Sequence, residues 1–547
     1  MLVVAIIVAA ARWRAAWVAS ELLRDWAAER LAQESDGVYQ LQLGRIRFSL
    51  TEQRVSVDSI ALTTLAPVNA DQRQPLPDLA VTLRGCRISG VHVLTLIRNA
   101  GLVAASLGCQ SGTLAMAIPR RIRATPSDPA TPKPFLVFQR EVRLPRYAPR
   151  IRIARVVFPR IAIDVRLPRA RGTTRLELGM LQWSMGDLVI DPSDPAAAAR
   201  PLFSRTIDLL ATDFVAHPSR TTAVHVDTLR TSLTDSTIDI RGIQFLWRVG
   251  SAKPQTPPPY RHTRMVMSVG NVAALGIDYG AWIAGLGAHA RSVVIDSFRL
   301  DATADKRLPP NPNPKRRRTP QRWMADLGET LRLDSVVVRN SGITYREHLL
   351  NEPEPGIMRF TRLSAVATNV NHYDGRRMRR DSMTLAARAY LQDRAPLDAR
   401  FTIPLDAPQF DMTFRGSLGP MPIAAFNAFL TKTGAVRVTG GRVEGITFNA
   451  KVRNGVAVGT ITPLFSNLEV AVERGGPGLL GRGGIVGGAA RGIASVVANW
   501  TVRENNPPRP DADVLVGLVQ HAFRPEETLI AFLWFGLRDG LMTVVKK

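Results

Sequence analysis

The sequence predicts a mainly β protein: a long antiparallel sheet with one apolar face, an N-terminal membrane or amphipathic helix, and a few short helices. Apolar and polar residues alternate at a period of two through most of the chain, the pattern of half-buried strands. A four-residue pattern of apolar, Asp, Ser or Thr, apolar recurs at Val57 to Ile60, Val226 to Leu229, Ile295 to Phe298 and Leu333 to Val336, which reads as a degenerate repeat. Gly and Pro number 41 and 38 among 547 residues, and they cluster between the alternating runs as turns and loops.

The chain opens on an uninterrupted apolar run, Leu2 to Ala11, followed by Arg12, Trp13, Arg14 and Trp17. As a helix this run spans about 15 Å, half of a hydrocarbon core. It fits half of a transmembrane helix whose start lies upstream, an atypical signal sequence with Ala9 to Ala11 near its cleavage site, an interfacial anchor, or a buried soluble helix. Trp13, Trp17 and Trp26 suit a membrane–water interface. Trp17, Val18, Leu22 and Trp26, set among Glu21, Arg24, Asp25, Glu29 and Arg30, have the spacing of an amphipathic helix.

Strands follow. Leu41, Leu43, Ile46, Phe48 and Leu50 alternate with Gln42, Arg45, Arg47 and Ser49, and after a polar turn Val55, Val57, Ile60 and Leu62 resume the alternation. The phase slips between Val57 and Ile60, which predicts a bulge near Asp58-Ser59. Similar segments return at Leu79 to Leu83, Ile161 to Leu167, Val224 to Val226, Ile238 to Ile240, Val293 to Ile295 and Leu331 to Val338. Near the C-terminus a hairpin turns at Asn454-Gly455. A two-residue turn would put Val456 and Val458 on the face of Lys451 and Arg453. A three-residue loop pairs Val452 with Val456 and Ala450 with Val458, keeping one face apolar, and is the reading preferred.

Helices are expected at Val93 to Leu107, Tyr279 to Ala290, Pro422 to Leu430 and Pro525 to Val545. Pro-rich stretches at Pro254 to Pro259, Leu308 to Pro320 and Asn505 to Pro510 read as linkers or long loops. The organisation that follows is an anchor and amphipathic helix over 1–36, an N-terminal β region over 37–253, and a Pro-rich insertion over 254–330. A C-terminal β region over 331–474 and a Gly-rich loop, linker and apolar helix over 475–547 complete it.

The formal charge of +25 comes from 63 Arg and 8 Lys against 46 acidic residues. Arg-rich, Lys-poor usage is what a GC-rich genome produces, and the charges are spread along the chain. Only Lys315 to Arg318 form a cluster, inside a loop, so nucleic acid is not an expected partner despite the basic balance. No Walker, HExxH or GxSxG motif is present. Gly476 to Gly481 fits GxGxxG, but Pro477 removes an N–H that a phosphate would use, four further glycines weaken the following helix, and no βαβ series surrounds it. The eight histidines are scattered. No enzyme activity, cofactor or metal is expected. Cys86 and Cys109 are the only cysteines; a bridge in an oxidising compartment and two buried thiols both fit them.

The segments LGPMPIAAFNAFL (Leu418 to Leu430) and VRVTGGRVEGITFNAKVRNGVAVGTITPLFSNLEVAVE (Val436 to Glu473), then NNPPRP (Asn505 to Pro510) and FLWFGLRDGL (Phe532 to Leu541), resemble the C-terminal region of bacterial AsmA-like proteins. The N-terminal order of apolar segment, short amphipathic helix and LQLGRIRFSLTEQRVSVDSIALTT (Leu41 to Thr64) is similar to that family's entry. The resemblance covers about two-thirds of the chain. It implies a protein of the cell inner membrane with a single N-terminal anchor. The bulk would lie in the periplasm as a curled, taco-like β-groove, related to bridge-like lipid-transfer proteins and tied to phospholipid movement toward the outer membrane and to its assembly. Expected partners are phospholipids, the inner membrane and other envelope proteins. The residues expected to line the groove are Phe448, Ala450, Val452, Val456 and Val458. The rival reading is a non-catalytic structural or assembly protein of the envelope that binds no lipid.

Overall fold

The structure is a computed structural model that describes residues 28–546 except 30, 34, 50, 66–76, 93–94, 96–100, 118–149, 170–171, 199, 218–221, 248–259, 284–285, 314–316, 327–329, 350–352, 373–381, 434–435 and 473–501. Among the described residues twenty-two strands are distributed over two compact units, one built from 1–248 with 275–286 and the other from 249–274 with 287–547. The expected N-terminal anchor, Trp13, Trp17, Trp26 and the GxGxxG stretch lie outside the described residues. Among the described residues no helix is long and apolar enough to cross a membrane.

Unit 1 contains β1 (Tyr39–Leu43), β2 (Ile46–Ser49), β3 (Arg54–Thr64), β4 (Asp78–Ser89), β5 (Leu102–Gly108), β6 (Ser111–Ala117), β7 (Ile151–Arg169), β8 (Gly172–Ile190), β9 (Thr206–His217), β10 (Thr222–Ser232) and β11 (Thr237–Trp247). β1 and β2 are two halves of one edge position beside β3, and β5 and β6 share the position between β4 and β7. From β7 onward each strand pairs antiparallel with the next. The short helix α1 (Pro195–Ala198) interrupts the step from β8 to β9, and α2 (Tyr279–Ile283) returns to unit 1, where the Tyr279 hydroxyl donates to Thr237 O at 2.8 Å.

Unit 2 contains β12 (His262–Leu275), β13 (Ala288–Asp305), β14 (Leu331–His348), β15 (Gly356–His372), β16 (Met383–Leu391), β17 (Ala395–Ile403), β18 (Met412–Leu418), β19 (Met421–Pro422), β20 (Val436–Arg453), β21 (Val456–Val472) and β22 (Gly517–Ala522). β14 to β18 form an antiparallel series, β20 pairs with β18 and β19, and β21 and β22 follow. Three helices lie on this sheet: α3 (Pro320–Ala325), α4 (Asn427–Thr433) and α5 (Leu529–Val545).

The sheet is mixed where the alternation predicts an antiparallel one. β5 and β6 run parallel to β7, and β13 runs parallel to β14. In sequence 118–150 separate β6 from β7 and Lys306 to Thr330 separate β13 from β14, lengths that a parallel pairing requires. Expectation also fails at Val93 to Leu107, where Leu102–Gly108 is a strand. Leu102, Ala104 and Leu107 are spaced by two and then three, and the step of three imitates a helical period. α2 is shorter than expected because Gly287, at φ 120°, ends the turn and Ala288 opens β13.

The slip at Asp58 belongs to a line that crosses unit 1. Val57 pairs with Cys86 and Ile60 with Leu83, so Asp58 lies opposite Gly85, which sits at φ 61°. In β8, β9, β10 and β11 the slip falls at Gly179, Asp213, Asp227 and Gly242, again opposite one another. Asp213 and Gly242 have φ of 54° and 65°. Neighbouring strands each gain one residue at the same place, so their register survives while apolar residues three apart stay on one face. In unit 2, Ser297 and Asn340 do the same, at φ 58° and 51°. The Asp-Ser/Thr pattern of the sequence therefore marks creases.

Gly242 is the residue a crease can least exchange. A Cβ there would lie 1.8 Å from Asp227 Oδ2 at a backbone angle that L side chains avoid. Gly242→Ala is expected to cost about 1–2 kcal/mol for the left-handed angle alone, with the displacement of Asp227 in addition. A fall in the thermal midpoint, together with faster amide exchange in β10 and β11, checks this.

Two asparagines from the family-like segments tie unit 2 together. The Asn427 side chain donates to Val438 O and accepts from Val438 N, each at 2.8 Å, fixing α4 to β20. The Asn506 side chain donates to Pro463 O and Leu515 O and accepts from Leu515 N, so the loop over Asn505 to Pro510 is pinned to β21 by one buried side chain while Pro508 to Pro510 stay exposed. α5 presses Phe532, Gly536, Gly540 and Val544 onto β21 and β22. Gly517 permits that approach, since a Cβ on it would lie 2.0 Å from Gly540 O.

Candidate functional site

Residues directly paired across strands share a face, which allows the apolar side of unit 1 to be followed strand by strand. Leu41 pairs with Leu62, Leu62 with Val81, Val81 with Leu114, and Leu114 with Ile163. Ile163 pairs with Leu178, Leu178 with Phe214, Phe214 with Val226, and Val226 with Ile243. This row crosses nine strands without a polar side chain. At about 4.8 Å per strand it extends roughly 38 Å along the sheet. A second row runs beside it: Leu79, Met116, Val165, Leu176, Ala216, Val224 and Phe245. The opposite face at the same level carries Asp164, Glu177, His225 and Gln244.

The crease divides this sheet into a filled half and an open half. On one side Val91, Ala104, Ile153, Val156, Met185 and Ile207 form a buried core, closed by Leu202 and Leu233. The two rows lie on the other side, belong to no buried core cluster, and are mostly only half-buried. A strip that is continuous, uncharged and only half-buried costs free energy in water at about 25 cal/mol per Å² exposed, and it offers a ligand no hydrogen bond. Its chemistry suits hydrocarbon chains.

Cys86 and Cys109 are joined in a disulfide at this boundary, which resolves the two readings of the cysteines in favour of the bridge. It links β4 to the break between β5 and β6, next to Gln110, whose N–H donates to Arg84 O at 2.9 Å.

Unit 2 presents the same kind of face, but its far end is covered. One row runs from Val293 through Val336, Ala367, Leu385, Phe401, Phe414, Ala450 and Gly459 to Val519. Over β18 to β22 it is packed under α5 and α3, with Met324, Phe414, Val452 and Phe532 fully buried and Phe410 buried beside them. Near the other end Glu347 is buried on the same face, accepting from the Tyr345 hydroxyl at 2.7 Å and pairing with Lys306 at 2.8 Å. Burial, with the Glu347 charge beside it, pushes the Tyr345 hydroxyl far above its ordinary range.

The structure separates the five expected groove residues. Ala450 and Val452 are buried beneath α5 and Phe448 packs against them, whereas Val456 and Val458 are exposed on the opposite face with Lys451 and Arg453. The hairpin closes by the two-residue turn: Arg453 pairs with Val456 and Val452 with Ala457, and Asn454 and Gly455 both have positive φ, 49° and 80°. The preference for Val456 and Val458 as inward residues failed because the room under α5 is taken by Phe532, leaving only Ala457 and Gly459 to face it.

Asp411 sets that turn. Its carboxylate accepts from Asn454 N at 2.8 Å and from Arg453 Nη1 at 3.0 Å, and the Asn454 N–H chiefly, then Arg453, hold its carboxyl below the ordinary carboxylate range. A group with a depressed native pKa stabilises fully above its unfolded value, about 3.9, and loses that contribution as pH falls through the native value. Asp411→Asn is expected to lower stability at neutral pH and to flatten the acid limb below about pH 4; melting followed from pH 2 to 7 checks it.

Histidines 217, 225 and 289 sit beside Glu177, Asp227 and Asp334 respectively, and His521 lies between Glu527 at 3.1 Å and Asp539 at 3.9 Å. Among the described residues no group of three or more His, Cys, Asp or Glu is placed to hold a metal. No family model and no curated protein matches the chain.

Proposed function

We propose that the protein is a membrane-anchored, periplasmic, AsmA-like protein that shields lipid acyl chains on the open apolar strip of unit 1, in phospholipid transport to the outer membrane or its homeostasis. The observation that carries this reading is the pair of unbroken apolar rows, Leu41 to Ile243 and Leu79 to Phe245, which belong to no buried core cluster and in which only Val226 is buried. Acyl chains laid along such a strip are removed from water while their headgroups stay solvated. The bridged cysteines support an oxidising compartment. Several arginines on the polar face are held in ion pairs with aspartate, as in Arg175–Asp164, Arg339–Asp296 and Arg388–Asp398, which favours a solvated outer wall over a nucleic-acid surface. No bond is made or broken in this role, so no catalytic residue or cofactor is assigned.

The second reading, a structural or assembly protein that holds no lipid, is favoured by unit 2, where α5 turns the equivalent face into dry core. Native mass spectrometry of the purified full chain, with lipid extraction from the same preparation, decides between them. Several phospholipids per chain support shielding. A well-folded, lipid-free chain would leave the structural role.

A further inference from the structure

β22 pairs with β21 along Gly517–Ala522 and, among the described residues, with nothing on its other edge. Edge strands are ordinarily blunted by charge, proline or a bulge. From Val514 to Ala522 this one contains no Lys, Arg, Asp, Glu or Pro. Its outward row starts with Val514, Val516 and Leu518, 40%, 51% and 69% exposed, and continues to Gln520, beside which Val458 on β21 is 60% exposed. The inward residues Val519 and His521 are buried, and Leu515 is held through its N–H and C=O by the Asn506 side chain at 2.9 and 3.0 Å. The strand is thus a fixed, uncharged backbone edge.

We propose that this edge is a self-association surface: two copies of the chain pair β22 to β22, antiparallel, about a two-fold axis at Leu518. Charge decides both the occupant and the direction. Asp511 and Asp513 precede the apolar stretch, and Arg524, which also lies 3.6 Å from Glu527, and Glu526 follow it; Asp511, Asp513, Arg524 and Glu526 are exposed. Antiparallel pairing centred on Leu518 sets Arg524 of one copy opposite Ala512 of the other, between the two aspartates, and symmetry repeats the contact at the far end. Parallel pairing would bring like charges together. Leu518 then meets its own counterpart, Val516 meets Gln520, and Val514 meets Ala522. Main-chain hydrogen bonds supply the affinity, and the outward row loses water.

Sedimentation velocity of the full chain in one fixed detergent, over a range of concentrations, tests this. A reversible dimer is expected. Leu518→Lys, which faces away from the core, is expected to weaken it on the order of tenfold or more while leaving the circular dichroism unchanged. Arg524→Glu should weaken it as well, and adding Asp511→Arg and Asp513→Arg to that variant should restore it. Both native cysteines are bridged, so Leu518→Cys is expected to give a covalent dimer on mild oxidation, and Thr413→Cys, exposed on β18, is not. A chain that stays monomeric at every concentration, or a dimer indifferent to Leu518→Lys and Arg524→Glu, overturns the proposal. A monomer that instead carries a different polypeptide, lost in Leu518→Lys, also overturns it and reassigns the edge.

Discussion

Leu178→Glu combined with Phe214→Glu is expected to strip phospholipid from the purified protein without unfolding it. The two residues are paired neighbours in the middle of the longer row of unit 1, and both are half-buried, outside the core of the filled half. Each apolar side chain lost from contact with an acyl chain forfeits roughly 1.5–3 kcal/mol, so the pair together weakens retention by on the order of a hundredfold or more. The carboxylates add to the loss, since a charge facing hydrocarbon has no partner. Native mass spectrometry reads the outcome as bound lipid per chain. The control is Phe414→Leu, which changes the α5-covered core of unit 2 and should cost stability yet keep the lipid. If bound lipid is unchanged in the double variant, the open strip is not where lipid sits.

Much of this strip is written in the sequence, though not as a site. The alternation at Leu41-Leu43, Leu79-Val81 and Ile161-Ile163 places each strand, and the slip between Val57 and Ile60 marks the level where pairing is interrupted at Asp58, but the expected bulge is absent, because β4 slips at Gly85 too and the register continues unbroken. What a single strand cannot reveal is that its neighbours slip at the same level. That fact emerges only when Asp213, Asp227 and Gly242 are seen opposite one another, and it is what converts separate amphipathic strands into continuous rows. The parallel pairs are hidden for a related reason: alternation reports which face a strand buries, not the direction in which it runs. The C-terminal hairpin misled because bulk was taken as a guide to burial. Ala457 and Gly459 face inward opposite Val452 and Ala450 since Phe532 of α5 already occupies the space, and a distant helix leaves no mark on a local pattern. Asn427 and Asn506, singled out in the sequence only as part of longer segments, prove to be fasteners of unit 2; they hold α4 and the segment after 501 to its sheet.

Opening the Cys86–Cys109 bridge is expected to have the largest effect on stability of any change in unit 1. The two cysteines are 23 residues apart, and closing a loop of that length removes denatured-state entropy equivalent to about 3 kcal/mol. Its position makes the loss local. β5 and β6 are each seven residues long and share one sheet position, interrupted at Cys109-Gln110 where β4 is itself creased at Gly85. Short strands that meet at a break have few hydrogen bonds of their own, so the covalent link holds β4 against both of them at the point where the sheet is weakest. Amide exchange of Cys86→Ser/Cys109→Ala against the native chain should therefore show protection lost in β4, β5 and β6, by on the order of a hundredfold. Unit 2 should be untouched. The same strands carry Val81 and Leu114 of the longer row and Leu79 and Met116 of the shorter, so reduction is expected to lower lipid retention together with protection. Protection that falls while lipid stays bound would separate the staple from the strip, and would mean that the rows from β7 to β11 suffice to hold the chains.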